Sequence, residues 1–168
     1  MSKPQILIVD AHDQPVGEAD IADADQQGLI RRIARLMLEN SKGQVLLQKR
    51  RNDDLIYPGC WDNSVAGHVD AGESSDQAMN RELAEELGIE IRVMKKAGEY
   101  YNEVHDRGYV IKKFNHLYKA SYNGPIENIE TEEVARVEWL GLDDLKRRIK
   151  QNPDDFTDGV KEVIKRFY

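Results

Sequence analysis

The 168 residues include a single cysteine, Cys60, so no internal disulfide can staple the chain, and a reducing compartment suits it. No stretch approaches the length of a membrane span. The four apolar residues Ile6–Val9, followed by Asp10, are too few for a secretory signal core. These shortages lead to the expectation of a soluble, cytoplasmic protein. Positive charge is short too: 24 Lys and Arg face 31 Asp and Glu, a formal charge of −7. That deficit disfavours a sequence-blind grip on duplex DNA, which needs a basic face. It also means that an anionic substrate must meet a cationic layer from somewhere. Repeats, linkers and low-complexity tracts are absent, and 40% of the residues are hydrophobic, the composition of a folded chain. At this length one domain that buries roughly 70% of its unfolded surface is expected. It would span 1–168, with residues 1–30 as an N-terminal strand or hairpin extension.

What is present is mostly strand. Short apolar or alternating runs predict strands at 6–9, 32–39, 45–50, 64–69, 90–93, 97–104, 109–122 and 137–140. Asn40-Ser41-Lys42-Gly43 reads as a tight turn pairing the second run with the third, and Asp106-Arg107-Gly108 turns before the seventh. A hairpin over 6–22 is a candidate dimer arm. Helices are expected at 142–150 and 157–167. The resulting class is α+β, an α/β/α sandwich with a mixed sheet flanked by helices.

The clearest helix lies between these strands. Ser74 is its N-cap with Gln77 three residues on, and Gly88 is its stop. Met79, Leu83 and Leu87 form its core stripe. Glu82, Glu85 and Glu86 stand at i, i+3 and i+4 and therefore share another face. Like charges at this spacing repel by a few tenths of a kcal/mol per pair. One reading is a solvated acidic face with an Arg81–Glu85 ion pair. The other is a hard divalent cation such as Mg²⁺, which binds through a few carboxylates together with substrate phosphates.

The surroundings of the triplet resemble a known signature. Gly67, Glu73, Arg81, Glu82, Leu83, Glu85, Glu86, Gly88 and Ile89 meet every specified position of the Nudix hydrolase box. At average residue frequencies such a match arises by chance on the order of once in ten million chains of this length. The strand pattern on both sides is like the Nudix fold and widens the resemblance to about 32–149. The resemblance implies that Glu82, Glu85 and Glu86 ligate Mg²⁺ or Mn²⁺, with the Gly67 carbonyl as a further ligand. It implies water attack on phosphorus in a nucleoside diphosphate derivative, with a non-catalytic module of the same fold that senses a nucleotide as an alternative. Glu73 and Arg81 are of the right types to pair and pin loop to helix. A further carboxylate, as base or ligand, is expected just before a late strand, where Glu133 is the first choice and Glu132 the second. Arg50 and Arg51, at a strand end, are candidates to hold a distal phosphate. Trp61, Tyr100, Tyr101 and Tyr109 are candidates to stack on a base or to pack in the core.

The stretch from Pro58 to His68 also looks like type 1 isopentenyl-diphosphate isomerases, which share the Nudix fold. Their catalytic cysteine immediately precedes the Gly-His pair, where this chain has Ala66. Of their metal-binding histidines only His68 has a counterpart; the upstream position falls near Arg31 and Arg32. Their second catalytic carboxylate would come from 109–119, which holds no acid. The resemblance thus points to an isomerase-like branch of the hydrolases. Markers for ADP-ribose or NADH, which contain proline, are missing between Ile89 and Pro125.

Overall fold

The strongest start and stop signals in the chain produce the helix they predict. In the computed structural model, which describes residues 4–168, α2 (Ser75–Leu87) opens on a reciprocal cap. The Gln77 amide N–H donates to Ser74 Oγ at 3.2 Å, and the Ser74 N–H donates to Gln77 Oε1 at 2.9 Å. Gly88 closes the helix at φ 63°. A Cβ there would lie 2.6 Å from the Asn128 carbonyl oxygen, so both conformation and space require glycine.

The organising strand is β3 (Ile30–Glu39). Along one edge it pairs in parallel with β8 (Tyr109–Ser121), from Ile30 opposite Lys112 to Glu39 opposite Ser121. Three strands share its other edge: β1 (Ile6–Val9) at Ile30 and Arg31, β6 (Val65–His68) from Ile33 to Leu36, and β4 (Gln44–Arg50) at Glu39 alone. The strand pair expected between 32–39 and 45–50 therefore holds only at its hairpin end. Beyond it β4 leaves to pair with β9 (Val134–Gly141) and, briefly, with β5 (Trp61–Asp62). Ser64 sits in the fork. Its buried hydroxyl accepts from the Leu38 N–H at 2.8 Å and donates to the Leu46 carbonyl at 2.6 Å, satisfying two groups that the split leaves without a ladder. Two hairpins complete the sheet: β2 (Pro15–Ala19) on β1, and β7 (Lys95–Asp106) on β8.

Alternation along β3 builds two cores. Ala34, Leu36 and Leu38 pack toward Met79, Leu83 and Leu87 of α2. Met37 faces the other way, toward Leu145 of α3 (Leu142–Gln151) and Val160, Val163 and Ile164 of α4 (Asp158–Phe167). Helices thus cover both faces of a mixed sheet, as the pattern predicts.

Two expectations change. Residues 90–93 form no strand; Ile91 and Met94 pack as single side chains against the α2 core while the backbone stays irregular. The hairpin ends at Ala19, because Ile21–Gln27 forms α1, whose seven residues bury only Ala24 and Asp25 and carry no apolar stripe to announce a helix. Ile6 and Ile8 pack with Ala19 and Ala24, and β1 pairs with β3, so the proposed dimer arm is built into its own sheet. Residues 1–3 of the N-terminal extension lie outside the described residues. No helix among the described residues is long and apolar enough to cross a membrane.

Ser64→Ala leaves the Leu38 N–H and the Leu46 C=O unpaired in the core. It is expected to lower the unfolding free energy by about 1–3 kcal/mol in a urea titration; an unchanged midpoint would remove Ser64 as the strut of the fork.

Candidate active site

Strand β6 crosses the inner face of α2 and brings Gly67 against Glu82. A Cβ on Gly67 would lie 2.1 Å from Glu82 Cδ and Oε1, so the missing side chain is what lets this carboxylate lie on the strand. Glu82 and Glu86 are 8% and 6% exposed, whereas Glu85 is half exposed. Burial pushes the Glu82 carboxyl up. It pushes Glu86 well above the usual carboxylate range, with Glu82 adding to the effect.

Arg81 organises the outer side of this ridge. Its guanidinium grips Glu73 in a bidentate pair at 2.8 and 2.9 Å, and donates to Glu82 at 2.8 Å, Glu85 at 3.2 Å and the His68 carbonyl at 3.1 Å. Glu73 also accepts from the Asp70 N–H at 3.1 Å, which ties the β6–α2 loop to the helix, and the pair with Arg81 holds its carboxyl below the ordinary range. Glu86 is treated differently: its Oε2 accepts from the neutral Gln48 amide at 2.8 Å. The inner end of the ridge is therefore a buried carboxylate whose hydrogen-bond donor carries no charge.

Around the ridge opens a cleft of about 590 Å³. Gly67, Glu82, Glu85, Glu86, Glu132, Glu133 and Arg50 all line it. The loop that carries Glu132 and Glu133 is tied to α2 by the Glu130 N–H, which donates to the Glu86 carbonyl at 3.0 Å. Arg50 and Arg51 part company. Arg50 lines the cleft beside Asp54, while Arg51 turns away to pair with Asp53 at 2.6 Å. Only the first of the two arginines is therefore brought to the ridge.

Three features of the cleft escaped sequence reasoning. Gln48 was missed although it left a signal: Val45 and Leu47 face one core and Leu46 the other, so Gln48 is a polar residue at a core-facing position. Asp70 reaches the Arg81 cluster at 3.5 Å. The wall made by Pro4, Ile6 and Ile21 had no signal at all, because it depends on where the N-terminal hairpin docks.

A second cavity, about 260 Å³, shares Arg50, Ala66, Gly67 and His68 with this cleft. Burial, with Arg31 and Lys113 nearby, pushes His68 down to about 3, so its ring is neutral at physiological pH. Arg31 and Lys113, from the two segments where the isomerases would supply a histidine and a carboxylate, both line this cavity. Neither can ligate a metal. The aromatic candidates go elsewhere: Trp61 and Tyr100 are buried in the α3/α4 core, and neither they nor Tyr101 and Tyr109 line either cavity. Cys60 is buried, its thiol pushed up by burial, and donates to the Asp154 carbonyl at 3.2 Å, which leaves it no role as a nucleophile.

Another set of metal-ligand types, Asp13, Glu99 and His116, converges at the tip of the β1–β2 hairpin. Arg32 pairs with Asp13 at 2.8 Å, Lys96 with Glu99 at 2.9 Å, and Ser75 engages His116 Nδ1 at 2.8 Å. Both carboxylates are already neutralised there, and the cluster serves as a clasp between hairpin, sheet and helix.

Two outcomes follow from these networks. Arg81→Lys removes the planar fork. It should speed hydrogen exchange at the Asp70 and Glu73 amides and cost about 1 kcal/mol, a figure reduced for partial exposure; unchanged exchange would refute the pinning role. The Asp158 carboxyl would be raised by burial, but Lys113 and Arg35 outweigh this and bring it from 3.8 to about 2. Its stabilisation, about 2 kcal/mol, is complete above about pH 4 and disappears as pH falls through about 2. Asp158→Asn should therefore flatten that part of the melting-temperature profile relative to the parent; parallel acid limbs would show the pairing to be idle.

Comparison with known proteins places this geometry in context. The family model for the NUDIX domain matches residues 29–166. An isopentenyl-diphosphate Delta-isomerase 2 of Photorhabdus laumondii is 31% identical over 95% of this chain and 89% of its own length. An uncharacterized Nudix hydrolase of Pseudomonas aeruginosa is 39% identical over 136 residues, 80% of this chain and 77% of that protein. Among solved structures, a Deinococcus radiodurans protein superposes with a TM-score of 0.81 at 23% identity, covering 98% of this chain and 99% of that one, a likeness of fold.

Proposed function

The chain belongs to the Nudix family, as a hydrolase of its isopentenyl-diphosphate-isomerase-like branch, and from that premise we propose that it cleaves a diphosphate bond in a nucleoside diphosphate derivative. The observation that carries this reading is the inner end of the ridge. Glu82 and Glu86 are buried side by side against Gly67, and the donor to Glu86 is a neutral amide. Two buried carboxylates, of which only Glu82 meets a guanidinium, fit a hard dication, which would supply the missing positive charge. In this reading Glu82, Glu85, Glu86 and the Gly67 carbonyl hold Mg²⁺ or Mn²⁺. When bound, the metal neutralises the diphosphate and lowers the pKa of a water.

The chain's own groups do the rest. Gln48 holds Glu86 Oε2 and so fixes the carboxylate plane. Arg81 and Glu73 set the angle of the loop to the helix and position Glu82. Glu133, or Glu132 beside it, accepts the proton of the attacking water from the opposite wall, and Arg50 meets the distal phosphate with a charge-assisted contact. This answers the charge deficit of the sequence: the cationic layer between acidic protein and anionic substrate is metal plus Arg50.

The names of several relatives raise isomerisation as the rival reading. Ala66 speaks against it, since a methyl group can neither donate nor accept a proton. Arg31 and Lys113, beside His68, speak against it as well, because cations repel a metal.

Hydrolysis of a panel of nucleoside diphosphate derivatives with Mg²⁺, followed by phosphorus NMR in oxygen-18 water, tests the proposal. Label should enter a phosphate product. Glu86→Gln should lower kcat/KM at least about 100-fold, roughly 2.7 kcal/mol, with the fold intact. Gly67→Ala displaces the Glu82 carboxylate and should weaken Mn²⁺ binding roughly tenfold by electron paramagnetic resonance without a lower melting temperature. Full activity in Glu86→Gln, or no cleavage of any diphosphate by the parent, would end the hydrolytic reading.

A further inference from the structure

Away from the ridge, the segment between α2 and β7 has two groups that the rest of the fold leaves over. Residues 90–93 alternate as a strand would, yet they join no ladder, and their backbone N–H groups find no acceptor among the described residues. Ile91 is held against the α2 core, whereas Val93 is 67% exposed. Arg92, between them, is exposed as well. Every other arginine meets a carboxylate or, for Arg136, the Trp61 ring at 5.0 Å; Arg92 meets neither among the described residues. In a chain of formal charge −7, that guanidinium is not left alone for want of carboxylates.

Arg92 and Val93 line a cavity of about 440 Å³ at the end of β3 and β8, together with Ile91, Lys95, Lys119 and Glu39. Glu39, the one carboxylate there, is already engaged: Lys119 pairs with it at 3.6 Å and the Tyr168 hydroxyl donates to it at 2.6 Å. Lys95, like Arg92, pairs with no carboxylate among the described residues. Two uncompensated cations therefore face an apolar wall of Ile91 and Val93. The cavity shares no lining residue with the cleft, so what it binds is independent of the hydrolytic reading.

The lining sorts the ligand classes. A cation is repelled, and a neutral apolar molecule would strip water from two charges and return no hydrogen bond. An inorganic anion would satisfy the charges but leave the apolar wall wet. No aromatic side chain lines the cavity, so a nucleobase has nothing to stack on. An organic anion answers both surfaces: its head accepts charge-assisted hydrogen bonds from the guanidinium fork and the ammonium, and its body covers the apolar wall. The volume lies within the range of roughly 300–1,000 Å³ found for small-molecule pockets. We propose that this cavity binds a small amphipathic anion, a carboxylate or phosphate head on a short aliphatic body, with Arg92 and Lys95 at the head and Ile91 and Val93 along the body.

The test is a titration of the full, nitrogen-15-labelled chain with hexanoate, hexyl phosphate, hexanol and hexylammonium in turn, read from amide chemical shifts. Mg²⁺ is left out, so the acidic ridge repels both anions. The amides of Arg92, Val93 and Lys95 should shift saturably with at least one anion, and that anion should bind at least about fivefold more tightly than hexanol or hexylammonium. Comparison of hexanoate with hexyl phosphate tells which head group is preferred. Arg92→Glu should weaken the bound anion at least about tenfold. Val93→Ser, which shortens only the apolar wall, should weaken it about threefold. Both positions are exposed, so the melting temperature should hold; Lys95→Gln repeats the charge test should Arg92→Glu fail to fold. Equal affinity for hexylammonium, shifts confined to the ridge, no saturable binding of either anion, or anion binding that Arg92→Glu and Lys95→Gln leave unchanged overturns the proposal.

Discussion

The contact between the Glu82 carboxylate and the backbone of Gly67 is the constraint on which the site depends. It exists because one residue of β6 lacks a side chain and because Arg81 holds Glu82 at 2.8 Å from the other side. Glu82 and Glu86 lie one helical turn apart, so fixing the first against the strand also presses the second into the protein. There Gln48 meets it from β4. The acidic ridge is thus built by the fold, against the electrostatic preference of an isolated helix.

The fork between β3 and β4 makes room for this contact. Had the two strands stayed paired along their length, β6 would have had no edge to join and Gly67 no place beside α2. Ser64 compensates the fork by engaging one backbone group from each departing strand. Alternation along β4 sends Leu46 and Gln48 to one side of the sheet and Leu47 to the other, which is how a glutamine comes to lie among core residues. Architecture and chemistry are in this respect one arrangement, since an opening in the sheet is lined by the polar groups that the opening exposes.

Electrostatics divides the molecule into two regions. On the cleft side carboxylates outnumber cations, and burial raises Glu82 and Glu86. In the second cavity cations and carboxylates nearly balance, and Asp158 is held low by Lys113 and Arg35. A chain of net charge −7 thus keeps a charge-balanced chamber next to an acidic one. The two share Arg50, Ala66, Gly67 and His68, of which only Ala66 and Gly67 are nearly free of side chain.

Much of this was legible in one dimension wherever the cause was local. The start and end of α2, its core stripe, the shared face of three glutamates and the pairing of Glu73 with Arg81 depend on spacing along a single helix and its loop, and helical periodicity makes spacing a sufficient guide. The two-sided core followed from alternation in β3. Other features were decided only by the folded chain, because they depend on which distant strands become neighbours. Arg50 and Arg51 are adjacent and alike in the sequence, yet only one faces the ridge. Gln48, the N-terminal wall and the charge-balanced cavity each combine residues from elements far apart in the chain, whose meeting is a property of sheet topology and not of any local pattern.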